Sequence, residues 1–266
     1  MSYWSQKNCV VIGGSRGLGL AIARAIVAAG GHVVLVARNE PDLTSAAEEL
    51  GSQSSSIHCD ITDQADVDDL FARLGREFSS IHAVFHVAGK SARQAILDTS
   101  AEDFHDLMNV NFYAAVRCAQ QAAPMLTKSR GHLVLVGSLA SKTASKFIGP
   151  YAATKFALAA YAQQLRLELS DDGLHVLHVC PGPIARDDAG DRYNDQTSGL
   201  PESARKPGAG AKLNPIDPNR LATQILQGCE QRKIEIVVPW KAKLLFVISQ
   251  ISPRMGDWLL ARRTKS

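Results

Sequence analysis

Tyr151 and Lys155 stand four residues apart in a run from Tyr151 to Leu169 that is rich in Ala and Leu. The run predicts a helix, and Pro150, with its ring-fixed φ, suits the first turn. On that helix the phenol and the ammonium share a face, and a positive neighbour favours phenolate. A free phenol has a pKa of about 10, too weak an acid for efficient proton transfer near neutrality, so the lysine supplies the tuning. Ser138 follows the strand-like run His132 to Val136. Its hydroxyl is therefore expected at the carboxyl end of a buried parallel strand, where ligands of open α/β sheets bind. Two hydroxyls could then hold one carbonyl oxygen. Taken alone, Tyr-x-x-x-Lys also fits a surface helix with a half-buried tyrosine, so the surrounding elements decide.

The elements that must position this pair begin at Asn8. A β-branched run, Asn8 to Gly13, reads as a buried strand and leads into Gly13-Gly14-Ser15-Arg16-Gly17-Leu18-Gly19 and a helix through Ala29. Strand, glycine turn and helix form a phosphate-binding arrangement. Gly13 permits the tight turn, Gly17 lets the backbone approach a pyrophosphate, Gly19 lets helix and strand pack closely, and the helix amino end offers free N–H groups. A second strand, His32 to Arg38, ends without the acid that holds a ribose 2′-hydroxyl in NAD sites. Arg38 stands there instead and, with Arg16, can meet a 2′-phosphate, which predicts NADP(H). Both arginines also fit solvated surface positions. Asp60, ending a third strand at Ser56 to Ile61, meets either an adenine edge or the following turn as a cap.

Asp63 opens a helix through Phe78, and Ala83 to Gly89 forms the fourth strand and its turn. Gly89-Lys90-Ser91 imitates the end of a Walker phosphate loop, but the required earlier glycine is Val84. None of the eight histidines shows metal-ligand spacing, so no metal site is expected. Ser100 to Leu126 reads as one long helix with Asn111 inside it. Asparagine competes for backbone hydrogen bonds, and a kink holding a water would explain it. Cys180-Pro181-Gly182-Pro183 closes the sixth strand, His175 to Val179; Asp217-Pro218 opens a helix through Glu230, and Ile234 to Pro239 is the last strand. Alternation throughout predicts an α/β fold with a doubly wound parallel sheet of about seven strands and helices on both faces.

Composition narrows the functional class. The 266 residues are 45% hydrophobic, enough for one sizeable α/β core, and the net charge of +3 comes from 29 bases against 26 acids. That surplus is too small to suggest nucleic acid as main partner. The five cysteines, at positions 9, 59, 118, 180 and 229, form no Cys-x-x-Cys and read as reduced core thiols. With no signal-peptide run and no stretch of about 20 apolar residues, the expected location is cytoplasmic. Residues 185–216, dense in Gly, Pro, Asp and Arg, are expected to form a substrate lid on a catalytic domain spanning 1–239. The extension 240–266 carries six bases against Asp257, a balance of +5 that leaves −2 for the rest. Two short amphipathic helices fit it, packing on the body or a neighbouring subunit, covering the substrate site, or resting peripherally on a membrane.

Together these residues resemble the compact, single-domain branch of the short-chain dehydrogenase/reductase family, over about Asn8 to Val238. The likeness rests on the Gly-x-x-x-Gly-x-Gly turn, Asp60, Asn111, Ser138, Tyr151-x-x-x-Lys155 and Pro181-Gly182, in family order and spacing. It implies a Rossmann-like fold, a homo-oligomer, and hydride exchange between NADP(H) and a carbonyl or alcohol substrate, in which a lipophilic one fits. Tyr151 would be the acid/base, Ser138 would position the oxygen, Lys155 would tune Tyr151 and bind the nicotinamide ribose, and Asn111 would hold a water in a proton relay. The cofactor would lie along Gly13, Ser15, Arg16, Gly17, Leu18, Gly19, Arg38, Asp60, Ile61, Ala88, Gly89, Tyr151, Lys155, Pro181, Gly182 and Ile184. Three positions depart from the family pattern. The turn opens Gly13-Gly14, where a Thr commonly stands first; Val87 replaces an Asn; and Arg186 replaces a Thr, facing an anionic substrate group, the cofactor phosphates or solvent. Acyl-serine hydrolysis fails because Gly137-Ser138-Leu139-Ala140 lacks the second Gly of a nucleophile elbow. A dinucleotide-binding regulator or membrane-associated scaffold without turnover is the non-enzymatic rival, and it has no need of a tuned phenol.

Overall fold

The structure is a computed structural model that describes residues 2–186, 193, 196–197, 199–205 and 213–263. Strands and helices alternate along the chain. They run β1 (Asn8–Ile12), α1 (Gly17–Ala28), β2 (His32–Ala37), α2 (Glu40–Leu50), β3 (Ser54–His58), α3 (Gln64–Glu77) and β4 (Ala83–His86). Then follow α4 (Ala101–Met108), α5 (Ala114–Ser129), β5 (His132–Val136), α6 (Tyr151–Leu169), β6 (His175–Pro181), α7 (Glu202–Arg205), α8 (Pro218–Glu230) and β7 (Glu235–Val238). A hairpin of α9 (Ala242–Ile251) and α10 (Pro253–Arg263) ends the described chain.

All seven strands pair in parallel in the order β3-β2-β1-β4-β5-β6-β7. The chain starts in the middle, winds outward to β3, then crosses back to β4 and winds the other way. The switch lies between β1 and β4, and their carboxyl ends open the crevice where such sheets bind ligands. Continuous apolar runs such as Val10-Val11-Ile12 and Val33-Val34-Leu35-Val36 are fully buried because helices cover both faces. One core joins Val10, Val34 and Val84 to Leu70 and Phe71 of α3, Ala119 of α5 and Leu158 of α6. The opposite core joins Val11, Leu35 and Phe85 to Ile22 and Ile26 of α1, Leu43 of α2 and Ile225 of α8. The period-two alternation of the strands sorts residues between these two cores.

Local signals account for the helix starts. Asn39, Asp63 and Asp217 each accept backbone N–H bonds as N-caps, and Ser100 and Asp103 form a reciprocal capping box. Two expectations need correction. The helix read from Ser100 to Leu126 is interrupted by a π-turn at Asn109–Tyr113, where the Ala114 N–H bonds back to the Asn109 carbonyl five residues earlier. Asp60 and Ile61 follow β3 rather than ending it, because the strand stops at His58. Helix α2, which carries no strong apolar stripe, was not foreseen. Of the lid expected at 185–216, residues 187–192, 194–195, 198 and 206–212 lie outside the described set. No helix among the described residues is long and apolar enough to cross a membrane.

Candidate active site

The β1–α1 turn is shaped by what a side chain would strike. Gly13 has a φ of +83°, and a Cβ there would sit 2.8 Å from the Ala88 nitrogen. A Cβ on Gly19 would meet the Gly13 carbonyl, so helix and turn touch backbone to backbone. Gly17, at φ +56°, has open space in front of it. The turn is thus packed tight behind and left bare in front, a cradle that fits a pyrophosphate at the amino end of α1. The β1 end is tied to both neighbours. Gly13 N–H donates to the Val36 carbonyl at 2.8 Å, and Val87 and Ala88 N–H both donate to the Ile12 carbonyl.

Ser138 sits one residue past Gly137, beyond the end of β5. Its Oγ accepts from the Ala140 N–H at 3.1 Å. A hydroxyl has one donor and two acceptor sites, so the Ser138 O–H is left to donate into the cavity. On the first turn of α6, Lys155 Nζ lies 5.8 Å from the Tyr151 ring centroid and donates to the Val136 carbonyl at 3.1 Å. Lys155 is only 4% exposed. Burial pulls its ammonium down to about 8, with Cys180 acting weakly the other way. His86, also buried, is held down to about 3 by burial and then by the Lys155 charge, so the lysine is the cation of this cluster.

Asn111 is buried in the π-turn and does not itself line the cavity. Its Oδ1 accepts from the Lys90 N–H at 2.8 Å, and its Nδ2 donates to the Lys90 carbonyl at 2.8 Å and to Thr154 Oγ1 at 3.0 Å. Thr154 Oγ1 in turn donates to the Tyr151 carbonyl at 2.8 Å. The asparagine amide therefore ties the loop after β4 to the first turn of α6. Thr154 was missed in the sequence because a threonine inside a helix is unremarkable until its partner is known.

Every other residue expected at the site lines one cavity of about 980 Å³. It is lined by Gly13, Ser15, Arg16, Gly17, Leu18, Gly19, Arg38, Asp60 and Ile61, by Ala88 and Gly89, and by Ser138, Tyr151, Lys155, Pro181, Gly182 and Ile184. Arg16 lies 3.5 Å from Asp42 and Arg38 lies 3.6 Å from Asp60, long and exposed pairings that hold neither guanidinium firmly. Asp60 Oδ1 accepts from Thr62 N–H and Oγ1, so the capping alternative is realised while the residue also faces the cavity. Burial pushes the Asp60 carboxyl up, but the Thr62 bonds and Arg38 outweigh it and leave it below its ordinary value. Arg186 lines the cavity as well.

One feature of the wall was not read from the sequence. Arg93, 5% exposed, donates to the Ala204 carbonyl at 2.9 Å and stacks its guanidinium 3.9 Å from the Tyr193 ring centroid, while its N–H donates to Gln196. It anchors the described part of the 185–216 segment to the loop after β4. Of the alternatives expected for the extension 240–266, covering the site is realised, because Leu245, Phe246 and Leu260 of the C-terminal hairpin line the cavity.

Among the described residues two groups have metal-ligand composition, the buried His132, His175 and Cys229, and the buried His178 and Cys180 with the partly buried Glu235. In the first, His132 Nδ1 and His175 Nδ1 share a 2.8 Å hydrogen bond, while His132 Nε2 meets the Tyr3 hydroxyl and His175 Nε2 meets the Lys233 carbonyl. In the second, Lys142 Nζ occupies Glu235 at 2.9 Å. Both are accounted for by the hydrogen bonds and ion pair of the fold.

A family model described as short chain dehydrogenase matches residues 7–197. An uncharacterized oxidoreductase of Staphylococcus epidermidis is 32% identical over 185 residues, covering 69% of this chain and 80% of its own. Dehydrogenase/reductase SDR family member 7B of Danio rerio is 28% identical over 242 residues, covering 87% of this chain and 77% of its own. The crystal structure of a short-chain dehydrogenase from Streptomyces avermitilis superposes with a TM-score of 0.81 at 22% identity, covering 98% of this chain and all of that one. With a glycine cradle at one end of the cavity and Ser138, Tyr151 and Lys155 at the other, this chain belongs to the short-chain dehydrogenase/reductase family and is an oxidoreductase of the kind that uses a nicotinamide cofactor.

Proposed function

We propose that the protein is an NADP(H)-dependent oxidoreductase that interconverts a carbonyl and a secondary alcohol, with Tyr151 as general acid/base. The observation that carries this reading is the single cavity shared by the bare glycine turn, Arg16, Arg38, Ser138, Tyr151 and Lys155. Bound nicotinamide would supply or accept the hydride. The Ser138 O–H, its oxygen already held by Ala140, donates to the substrate oxygen. Lys155, charged at neutral pH and fixed by the Val136 carbonyl, lowers the Tyr151 pKa so that the phenol can exchange a proton with that oxygen. Asn111 keeps the π-turn and the first turn of α6 in register through Thr154, the place where a relay water would be held.

Arg16 and Arg38 favour a 2′-phosphate because a bidentate guanidinium contact exceeds what their long carboxylate pairings offer. Leu139, Ile148, Leu213, Leu245, Phe246 and Leu260 around the substrate end support a lipophilic substrate. Phe156 and Leu167, exposed on α6, suit a homo-oligomeric contact. The five buried, unpaired thiols agree with a cytoplasmic location. The test follows nicotinamide absorbance with NADPH or NADH against aldehydes, ketones and keto-lipids, for wild type, Tyr151→Phe and Arg38→Asp. NADPH-linked turnover lost in Tyr151→Phe, with preference shifted toward NADH in Arg38→Asp, is expected. Turnover by Tyr151→Phe at the wild-type rate, or equal wild-type use of both cofactors, defeats the corresponding assignment.

A further inference from the structure

The C-terminal hairpin has two faces, and the catalytic reading uses only one of them. On α9, Ala242 and Phe246 are buried and Leu245 lines the cavity. On the opposite arc Leu244, Val247 and Ile251 recur at helical spacing and point outward. They are joined by Met255 and Trp258 of α10 and by Trp240 ahead of α9, each more than half exposed. Apart from Lys243, Ser249 and Gln250, α9 is apolar on its outward as well as its buried side, and a helix of that kind belongs in a core or against a second apolar phase, yet α9 lies on the surface. Exposed apolar clusters of this extent mark a docking site.

The charges around the cluster select the occupant. Lys241, Lys243, Arg254 and Arg262 are exposed on the same hairpin, with Asp257 as the opposing acid. On α10, Arg254, Met255, Trp258 and Arg262 fall on one helical arc, and the Arg262 guanidinium stacks 4.6 Å from the Trp258 ring. Apolar side chains rimmed by cations, with tryptophan at the boundary, are what an interface between acyl chains and anionic headgroups favours. A second copy docking by two-fold symmetry would set this basic face against itself and repel. We propose that the outward face of α9–α10 docks on an anionic lipid surface. Because its inner face walls the cavity, docking brings the substrate end of the cavity next to the bilayer.

The full chain is tested by co-sedimentation with vesicles of phosphatidylcholine alone and of phosphatidylcholine with phosphatidylglycerol, alongside Leu244→Glu/Val247→Glu and Lys243→Glu/Arg254→Glu. All four positions point outward, and NADPH turnover of a water-soluble carbonyl, with circular dichroism, checks that the variants are folded. Because that turnover is read without vesicles, failure of docking is distinguishable from failure of the catalytic reading. Expected is binding at least about tenfold stronger to the anionic vesicles, weakened by salt and lost in both variants. Absence of sedimentation, equal binding to both compositions, or variants that bind as wild type would overturn the proposal. So would an oligomer that the Leu244→Glu/Val247→Glu variant dissolves without any effect of lipid, since a second copy would then cover the face.

Discussion

Lys155 should make the protein less stable at neutral pH, and Lys155→Met measures by how much. The unfolded lysine keeps its proton up to about 10.5, whereas burial lowers the folded value to about 8. Below the folded value the buried ammonium opposes folding by the full difference, about 3 kcal/mol at 1.36 kcal/mol per unit. Between the two values the unfolded chain binds more protons, so stability rises with pH and the penalty disappears. Methionine fills the same channel without charge but loses the bond to the Val136 carbonyl, worth about 1–2 kcal/mol. The variant should therefore be more stable than wild type at pH 7 by about 1–2 kcal/mol, roughly 2–6 °C in Tm. At pH 10 it should be no more stable, and less so by the lost bond. Denaturant unfolding without added nucleotide, taken as a difference between the two proteins across pH 7 to 10, cancels the other titrating groups. NADPH-linked turnover of the variant should fall by two orders of magnitude or more. A difference curve flat with pH, or a variant less stable at pH 7, would refute the buried-charge argument.

Gly19→Ala places a Cβ against the Gly13 carbonyl and should weaken NADPH binding by at least about tenfold, read by nucleotide fluorescence, with a stability loss of about 1–3 kcal/mol. Asn111→Ala removes a buried amide that pairs the Lys90 N–H and carbonyl and bonds Thr154 Oγ1, so denaturant melts should show a loss of about 1–3 kcal/mol. Arg93→Gln frees the segment around Tyr193 and Ala204; KM for a lipophilic substrate should rise severalfold while kcat changes little. Burial pushes the thiols of Cys9, Cys59, Cys118 and Cys180 up to about 12, so a thiol-reactive disulfide should label none of them until denaturant is added.

The parts of the fold written in one continuous signal were legible. Helix α6 runs from Tyr151 to Leu169 as its Ala and Leu content predicted, and each strand begins or ends within a few residues of its β-branched run. Asn111 shows what a local anomaly can and cannot say. Its misfit with helical propensity foretold a kink, but the π-turn and its bonds to Lys90 and Thr154 depend on two distant segments meeting there. Arg93 was silent for the same reason, since an arginine buries only when a carbonyl such as that of Ala204 and a ring such as Tyr193 arrive to receive it. The two amphipathic pieces of the tail were readable around Ser252-Pro253, whereas the face each would bury was not. That depended on Cys180 and Val237 offering an apolar seat for Phe246.

Several unusual local choices of this chain lie around one cavity. Gly13 and Gly17 hold positive φ in the turn, Phe147 does so just before α6, Lys155 is a buried charge, and Asn111 breaks a helix. The positive-φ residues Gln6, Arg130 and Arg232 lie elsewhere, where the chain turns out of a preceding segment, and a backbone that only closes a helix explains them at Arg130. A sheet whose strands are buried on both faces has stability to hold such defects, and they persist only where surrounding packing over-determines them. Sequences that fold well agree across levels except where function demands otherwise. By the same reasoning the apolar outward arc of α9, unfavourable in water and adjoining this cavity, is an exception that asks for a use, and the proposed anionic lipid phase would relieve it.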